Sequence, residues 1–118
     1  MTIGKAVSYY FNNALLATAT AVAAREGTIY FIEVSNPTTD DVYLQLFYAA
    51  AADVTLGTTS PTLALLVPAG TSTTDRGAMD KMFPEGLYFG TSITAAITTT
   101  ATGNTAPGTG ATVNIGYL

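Results

Sequence analysis

Residues 28–50, TIYFIEVSNPTTDDVYLQLFYAA, constrain the fold more than any other stretch of the chain. Two runs rich in Tyr, Ile, Phe, Val and Leu suit a pleated, half-buried surface. Between them, residues 35–41 bring together Ser, Asn, Pro, Thr and Asp, which fix φ or bond their own backbone and so interrupt a strand. The simplest arrangement is two antiparallel strands joined by a loop. Alternation puts Tyr30, Ile32 and Val34 on one face of the first strand and Val42, Leu44, Leu46 and Tyr48 on one face of the second. Those residues are expected to face the core. The opposite faces carry Ile29, Phe31 and Glu33 on the first strand and Tyr43, Gln45 and Phe47 on the second, more apolar than a solvated sheet face normally is. Either the fold's own loops or N-terminal arm cover them, or a protein partner does. Phe31, Tyr43 and Phe47 are therefore candidate contact residues.

The rest of the chain reads as further short strands. Residues 1–13 have no clear period and are expected to form an extended N-terminal arm, tied down by Tyr9, Tyr10 and Phe11 either on its own domain or on a neighbour. The domain proper then spans residues 14–118. Within residues 14–26, Asn13 and Gly27 could cap a helix of good helix formers. Alternation of Leu16, Thr18, Thr20 and Val22 with Ala17, Ala19 and Ala21 favours a strand instead. Residues 51–61, punctuated by Gly57 and Pro61, suit a crossing between two sheets. Residues 63–67 are apolar on both faces and are expected to be covered on both sides. Residues 71–74 suggest a short hydroxyl-rich strand. Residues 75–86 set Met79, Met82 and Phe83 among Asp75, Arg76, Asp80, Lys81 and Glu85 in an irregular loop that either plugs one end of the fold or makes a contact surface. Strands follow at 87–90, 92–100 and 111–117, separated by a Gly- and Thr-rich loop at 101–110. Seven or eight strands with turn signals between them and no convincing helix describe an all-β, antiparallel two-sheet β-sandwich. Jelly-roll and immunoglobulin-like connections both remain open, because they differ in which strand pairs with which.

A chain of 118 residues fits one domain able to bury a core without staples. The absence of cysteine rules out disulfides and thiolate chemistry. The absence of histidine removes the commonest general base and metal ligand, so no enzyme is expected. With eight acidic and four basic residues and a net charge of −4, the average surface repels phosphate backbones, and nucleic acid is a poor partner. No apolar run approaches the eighteen or so residues a spanning helix needs, and MTIGKAVSYYFNN lacks the apolar core of a signal peptide, so no membrane partner is expected.

The acidic pairs and groups lack the chemistry they would need for a site. Asp40–Asp41 and the group Asp75, Asp80 and Glu85 do not have the alternating oxygen ligands around a Gly of a Ca²⁺ loop, and read as solvated loop acids. The Gly-rich stretches at 57–60 and 103–110 lack the Lys and following helix of a phosphate loop, and read as turns. Tyr side chains could stack on sugar rings, although there is no Trp. No cofactor or metal is called for.

The runs GTIYFIEVSNPTTDDVYLQLFYA, LGTTSPTLALLVPAG and FPEGLYFGTSITAAITTTATGNTAPGTGATVNIGYL together resemble small proteins encoded among the virion genes of tailed bacteriophages, and are similar to small all-β capsid decoration, or cement, proteins. The resemblance covers residues 27–118, and its turn residues, Asn36–Pro37, Pro68–Ala69–Gly70 and Pro84–Glu85–Gly86, are shared with unrelated sandwiches. It implies a structural role on the outer surface of a phage head, with the major capsid protein and further copies of the chain, in a homo-oligomer such as a trimer, as partners. It supplies no catalytic residues. A tail or fibre module is the alternative within virions, and a carbohydrate-binding sandwich the alternative outside them. The candidate contact residues are Tyr9, Tyr10, Phe11, Phe31, Tyr43, Phe47, Met79, Met82 and Phe83.

Overall fold

The chain forms eight strands, most of them where β-branched and aromatic residues recur. In the computed structural model, which describes residues 8–72 and 74–118, they are β1 (Ser8–Leu15), β2 (Thr20–Ala23), β3 (Gly27–Asn36), β4 (Val42–Phe47), β5 (Leu63–Val67), β6 (Gly77–Phe89), β7 (Ile93–Thr98) and β8 (Ala111–Tyr117). A single 3₁₀ turn at Ala51–Asp53 is the one helical element among the described residues. The strands make two four-stranded sheets, β1-β8-β3-β6 and β2-β7-β4-β5.

The first strand pairs with the last, the second with the seventh, the third with the sixth and the fourth with the fifth, all antiparallel. This is the pattern of one long hairpin rolled up on itself, the jelly roll. An immunoglobulin-like sandwich, with sheets ABED and CFG, does not pair its strands in this way. The result is a slab of 42 × 35 × 19 Å, with a core of Ile32, Val34, Leu44, Leu46, Ile93, Ile97, Val113 and Ile115 between the sheets.

Residues 28–50 are therefore not a hairpin. β3 and β4 lie in opposite sheets, and both send side chains into the core. Alternation could not separate the two arrangements, because a strand with one apolar face buries it equally well beside or opposite its neighbour. The corner between them is built by Asn36, whose fully buried side chain donates from Nδ2 to the carbonyls of Asp40 (2.9 Å), Pro68 (3.1 Å) and Val67 (3.4 Å). Its Oδ1 accepts from the backbone N–H and the hydroxyl of Thr38 at 2.9 and 2.8 Å. Gly77, at the start of β6, packs so closely on Pro68 that any side chain there would run into the Pro68 carbonyl.

The phase of β3 also differs from simple alternation. Its register with β8 steps from Ile29 opposite Tyr117 to Phe31 opposite Gly116, one residue extra on β3. This β-bulge at Tyr30 moves Ile29 to the core side with Ile32 and Val34, and leaves Tyr30 half-buried. On the other side of β3, Phe83 to Gly86 bulge out of β6, between Leu87 opposite Ile29 and Met82 opposite Phe31. Gly86 takes φ of 83°, a left-handed conformation that glycine adopts without strain.

Five other expectations change. Residues 8–13 of the expected arm are strand, because β8 offers them a ladder from Ser8 opposite Tyr117 to Asn12 opposite Val113; residues 1–7 lie outside the described residues. Residues 77–86 of the expected irregular loop belong to β6, since pairing with β3 overrides their local polarity. Thr71, Ser72 and Thr74 of the strand expected at 71–74 are not in a strand: the backbone N–H groups of Thr71 and Ser72 both donate to the Asp75 carbonyl in a turn, and Thr73 lies outside the described residues. Residues 51–61 do not cross between sheets but connect β4 to its own partner β5. β5 is an edge strand covered on one face only, with Leu66 47% exposed. Within residues 14–26 the strand reading holds for Thr20–Ala23, while residues 16–19 carry the chain from one sheet to the other.

Candidate functional site

The two outer faces of the sandwich are built differently. On the second sheet, Gln45, Phe47, Thr94, Ala96 and Thr98 point away from the core, yet all are buried. The connections that follow β4 and β7 cover them. Gln45 Nε2 donates to Thr98 Oγ1 (2.7 Å) and to the carbonyls of Gly103 (3.1 Å) and Thr100 (3.2 Å), and Thr94 Oγ1 donates to the Ala49 carbonyl at 2.7 Å. The two connections meet where Asn104 lies against Gly57. Gln45 Oε1 has no hydrogen-bond partner among the described residues.

No such cover lies over the first sheet among the described residues. Cross-strand register sets Tyr9, Gly116, Phe31 and Met82 side by side across its four strands. Tyr9 and Met82 are 72% and 67% exposed, so they face solvent rather than the fold. The Tyr9 and Phe31 rings meet with centroids 6.0 Å apart and planes tilted by 50°, a geometry in which edge and face attract. Gly116 makes this meeting close: the Phe31 ring occupies the space a Cβ would need. One row along lie Phe11 (62% exposed), Asn114, Glu33 and Asp80. Glu33 and Asp80 are directly opposite, an arrangement of like charges that costs a sheet some stability. Beyond them a shallow groove of about 130 Å³ is lined by Ser35, Ala78, Thr112 and the two carboxylates. At the other end, Met82 to Gly86 line an open depression of about 460 Å³. The face is thus graded from aromatic to carboxylate to hydroxyl.

Of the nine contact residues expected from sequence, Tyr9, Phe11, Phe31 and Met82 come together on this face. Tyr10 and Met79 sit at inward positions opposite Ile115 and Val34 and pack on the core. Phe83 packs against the core from the β6 bulge. Phe47, 1% exposed, has no surface to offer. Tyr43 lies half-buried on the far sheet, opposite the exposed Leu66. Phe31, Tyr43 and Phe47 therefore do not form one stripe, because β3 and β4 belong to different sheets. Gly116 was missed. Its signal was present, a glycine in phase with the outward Thr112 and Asn114, but glycine in a strand does not say what lies over it.

Among the described residues no three Asp, Glu, His or Cys side chains gather to hold a cation. Burial pushes the Tyr48 hydroxyl above its usual range. The exposed Tyr88 hydroxyl is pushed up by the hydrogen bond it donates to Glu26 (2.9 Å) and by that residue's charge. Arg25 lies over the Tyr117 ring, 5.4 Å from its centroid, a modest cation–π contact at an exposed site. Comparison of the chain with family models, characterised proteins and solved structures finds no match.

Proposed function

We propose that the chain is a structural virion protein, a decoration or cement protein that binds the outer surface of a tailed-phage head together with further copies of itself. The observation that carries this reading is the outer face of the first sheet, where Tyr9, Phe11 and Met82 are exposed around a half-buried Phe31. Side chains already fixed on a sheet lose little freedom on docking, which favours a broad surface contact. A protein that binds the assembled shell and not its dissociated subunits stabilises the shell by mass action, and many copies multiply the effect. The partners are the major capsid protein and the chain itself, and the place is the capsid surface.

Purified heads lacking the protein provide the test. The full chain is expected to co-sediment with them and to raise the temperature at which they open, and Met82→Lys to bind at least tenfold more weakly, in line with the loss of an interface anchor. Failure to bind heads, or absence of the native protein from purified particles, overturns the reading. The carbohydrate-binding alternative has one observation in its favour, the row in which Phe11 is followed by Asn114 and Glu33, a ring beside hydroxyl-binding groups. Glycan-array binding without capsid association would select it.

A further inference from the structure

Among the described residues four strand edges bound the sandwich: β1 and β6 in the first sheet, β2 and β5 in the second. An exposed edge is a row of backbone donors and acceptors ready to pair with another strand, and proteins blunt it with short length, charge, proline or a bulge. Three of these edges are blunted. β2 has four residues and β5 has five, the latter enclosed by Pro61 and Pro68. β6 carries Asp80, Lys81, Pro84 and Glu85 and bulges over Phe83 to Gly86. β1, SYYFNNAL, has eight residues with no charge and no proline. Its register with β8 is regular from Ser8 to Asn12 and slips only beyond, where Asn12 Oδ1 accepts from the Ala14 backbone N–H at 2.9 Å.

We propose that the free edge of β1 pairs antiparallel with β1 of a second copy across a two-fold axis, joining the two first sheets into one of eight strands. The occupant is a second copy for two reasons. Any strand paired antiparallel with itself about a two-fold satisfies both ladders at once, and the pairing closes, since each copy has a single such edge among the described residues. The edge is also a neutral stretch in a chain of net charge −4, so two copies meet where their mutual repulsion is least. Keeping outer face beside outer face requires a residue to lie opposite itself. Centred on Tyr10, the pairing sets Tyr9 opposite Phe11 of the second copy, twice, on the outer face. It thereby covers the two most exposed aromatic rings at the edge and doubles the length of the aromatic row.

This inference rests on the self-association included in the proposed function, and it makes the homo-oligomer a dimer. Sedimentation of the full chain at tens of micromolar, where contacts of modest strength persist, is expected to give a dimer. Y9K/F11K puts four charges at the joint and should return it to monomer, with an unchanged circular dichroism spectrum because both side chains are solvent-exposed. Met82→Lys lies on the same outer face but on the far edge, and should leave the dimer intact, as face-to-face packing would not. Hydrogen exchange should show the outward amides of β1 protected in the dimer and released on dilution. A monomer, a trimer, a dimer broken by Met82→Lys, or free exchange along β1 each overturns the proposal. Heads bound by a monomer would overturn this inference alone, and a β1-paired dimer that ignores heads would overturn the capsid reading alone.

Discussion

Asn36 holds more of the molecule together than its size suggests. One amide joins the β3–β4 corner to the end of β5 through the Val67 and Pro68 carbonyls, and Thr38 closes the same corner by accepting from the Gly70 backbone N–H at 3.0 Å. Replacing Asn36 with Ala leaves buried carbonyls without a donor, a loss of about 2–3 kcal/mol. That would lower the urea midpoint by roughly 1 M or more. Asn36→Asp should be worse at neutral pH, because a carboxylate would face the oxygens of Asp40, Val67 and Pro68. Its folded-state pKa would then stand above the unfolded value of about 4. The variant should therefore be most stable below that unfolded pKa and lose stability as pH rises through the folded one. Urea melts across pH 3–7 check both expectations, and equal stability of the two variants at every pH would remove Asn36 from this role. The importance of this corner was partly legible: Asn36–Pro37 reads as a strand break from sequence, but nothing local says that its amide reaches residues more than thirty positions away.

At the scale of the element, β1 shows where reading a sequence in isolation runs out. A stretch of Ser, Tyr, Phe and Asn without a period reads as an arm, and an arm could be removed with the sandwich left standing. In the structure β8 supplies its ladder, Tyr10 packs on the core and Leu15 is buried within it. A chain beginning at Ala14 would lose the paired residues and lay open one side of β8. Its melting temperature is expected to fall by about 10 °C or more, equivalent to a loss of a few kcal/mol in a domain of this size. An unchanged melt would restore the arm. Residues 77–86 of β6 were missed for the same reason, since their charges describe an edge facing solvent and their partner lies far away in the chain. β7 and β8 were legible in full, because their alternation places Ile93, Ala95, Ile97, Val113 and Ile115 inward without help from any partner. Two-fold periodicity identifies a strand when one face is buried. It is silent about which sheet the strand joins, and so the β3–β4 relation could be read wrongly from a correct pair of strands.

For the molecule as a whole, pairing first with last makes almost every ladder non-local: Ser8 lies opposite Tyr117 and Thr20 opposite Ala95. Loop closure must precede the reward of such contacts, so folding should be slow for the chain's size, in the millisecond-to-second range or beyond, as measured by stopped-flow refolding. A refolding time in microseconds would contradict this topology. The order of the sheet has a consequence during synthesis. β8 is the last of the eight strands to leave the ribosome, yet it takes the place between β1 and β3. Until it arrives, β1 has no neighbour at all, and β3 has β6 on one side only. The aromatic face, which needs Gly116 beneath Phe31, is likewise completed only once β8 is made. A nascent chain therefore does not present a finished binding surface, and a product cut short before residue 111 would lack both the sheet and the face.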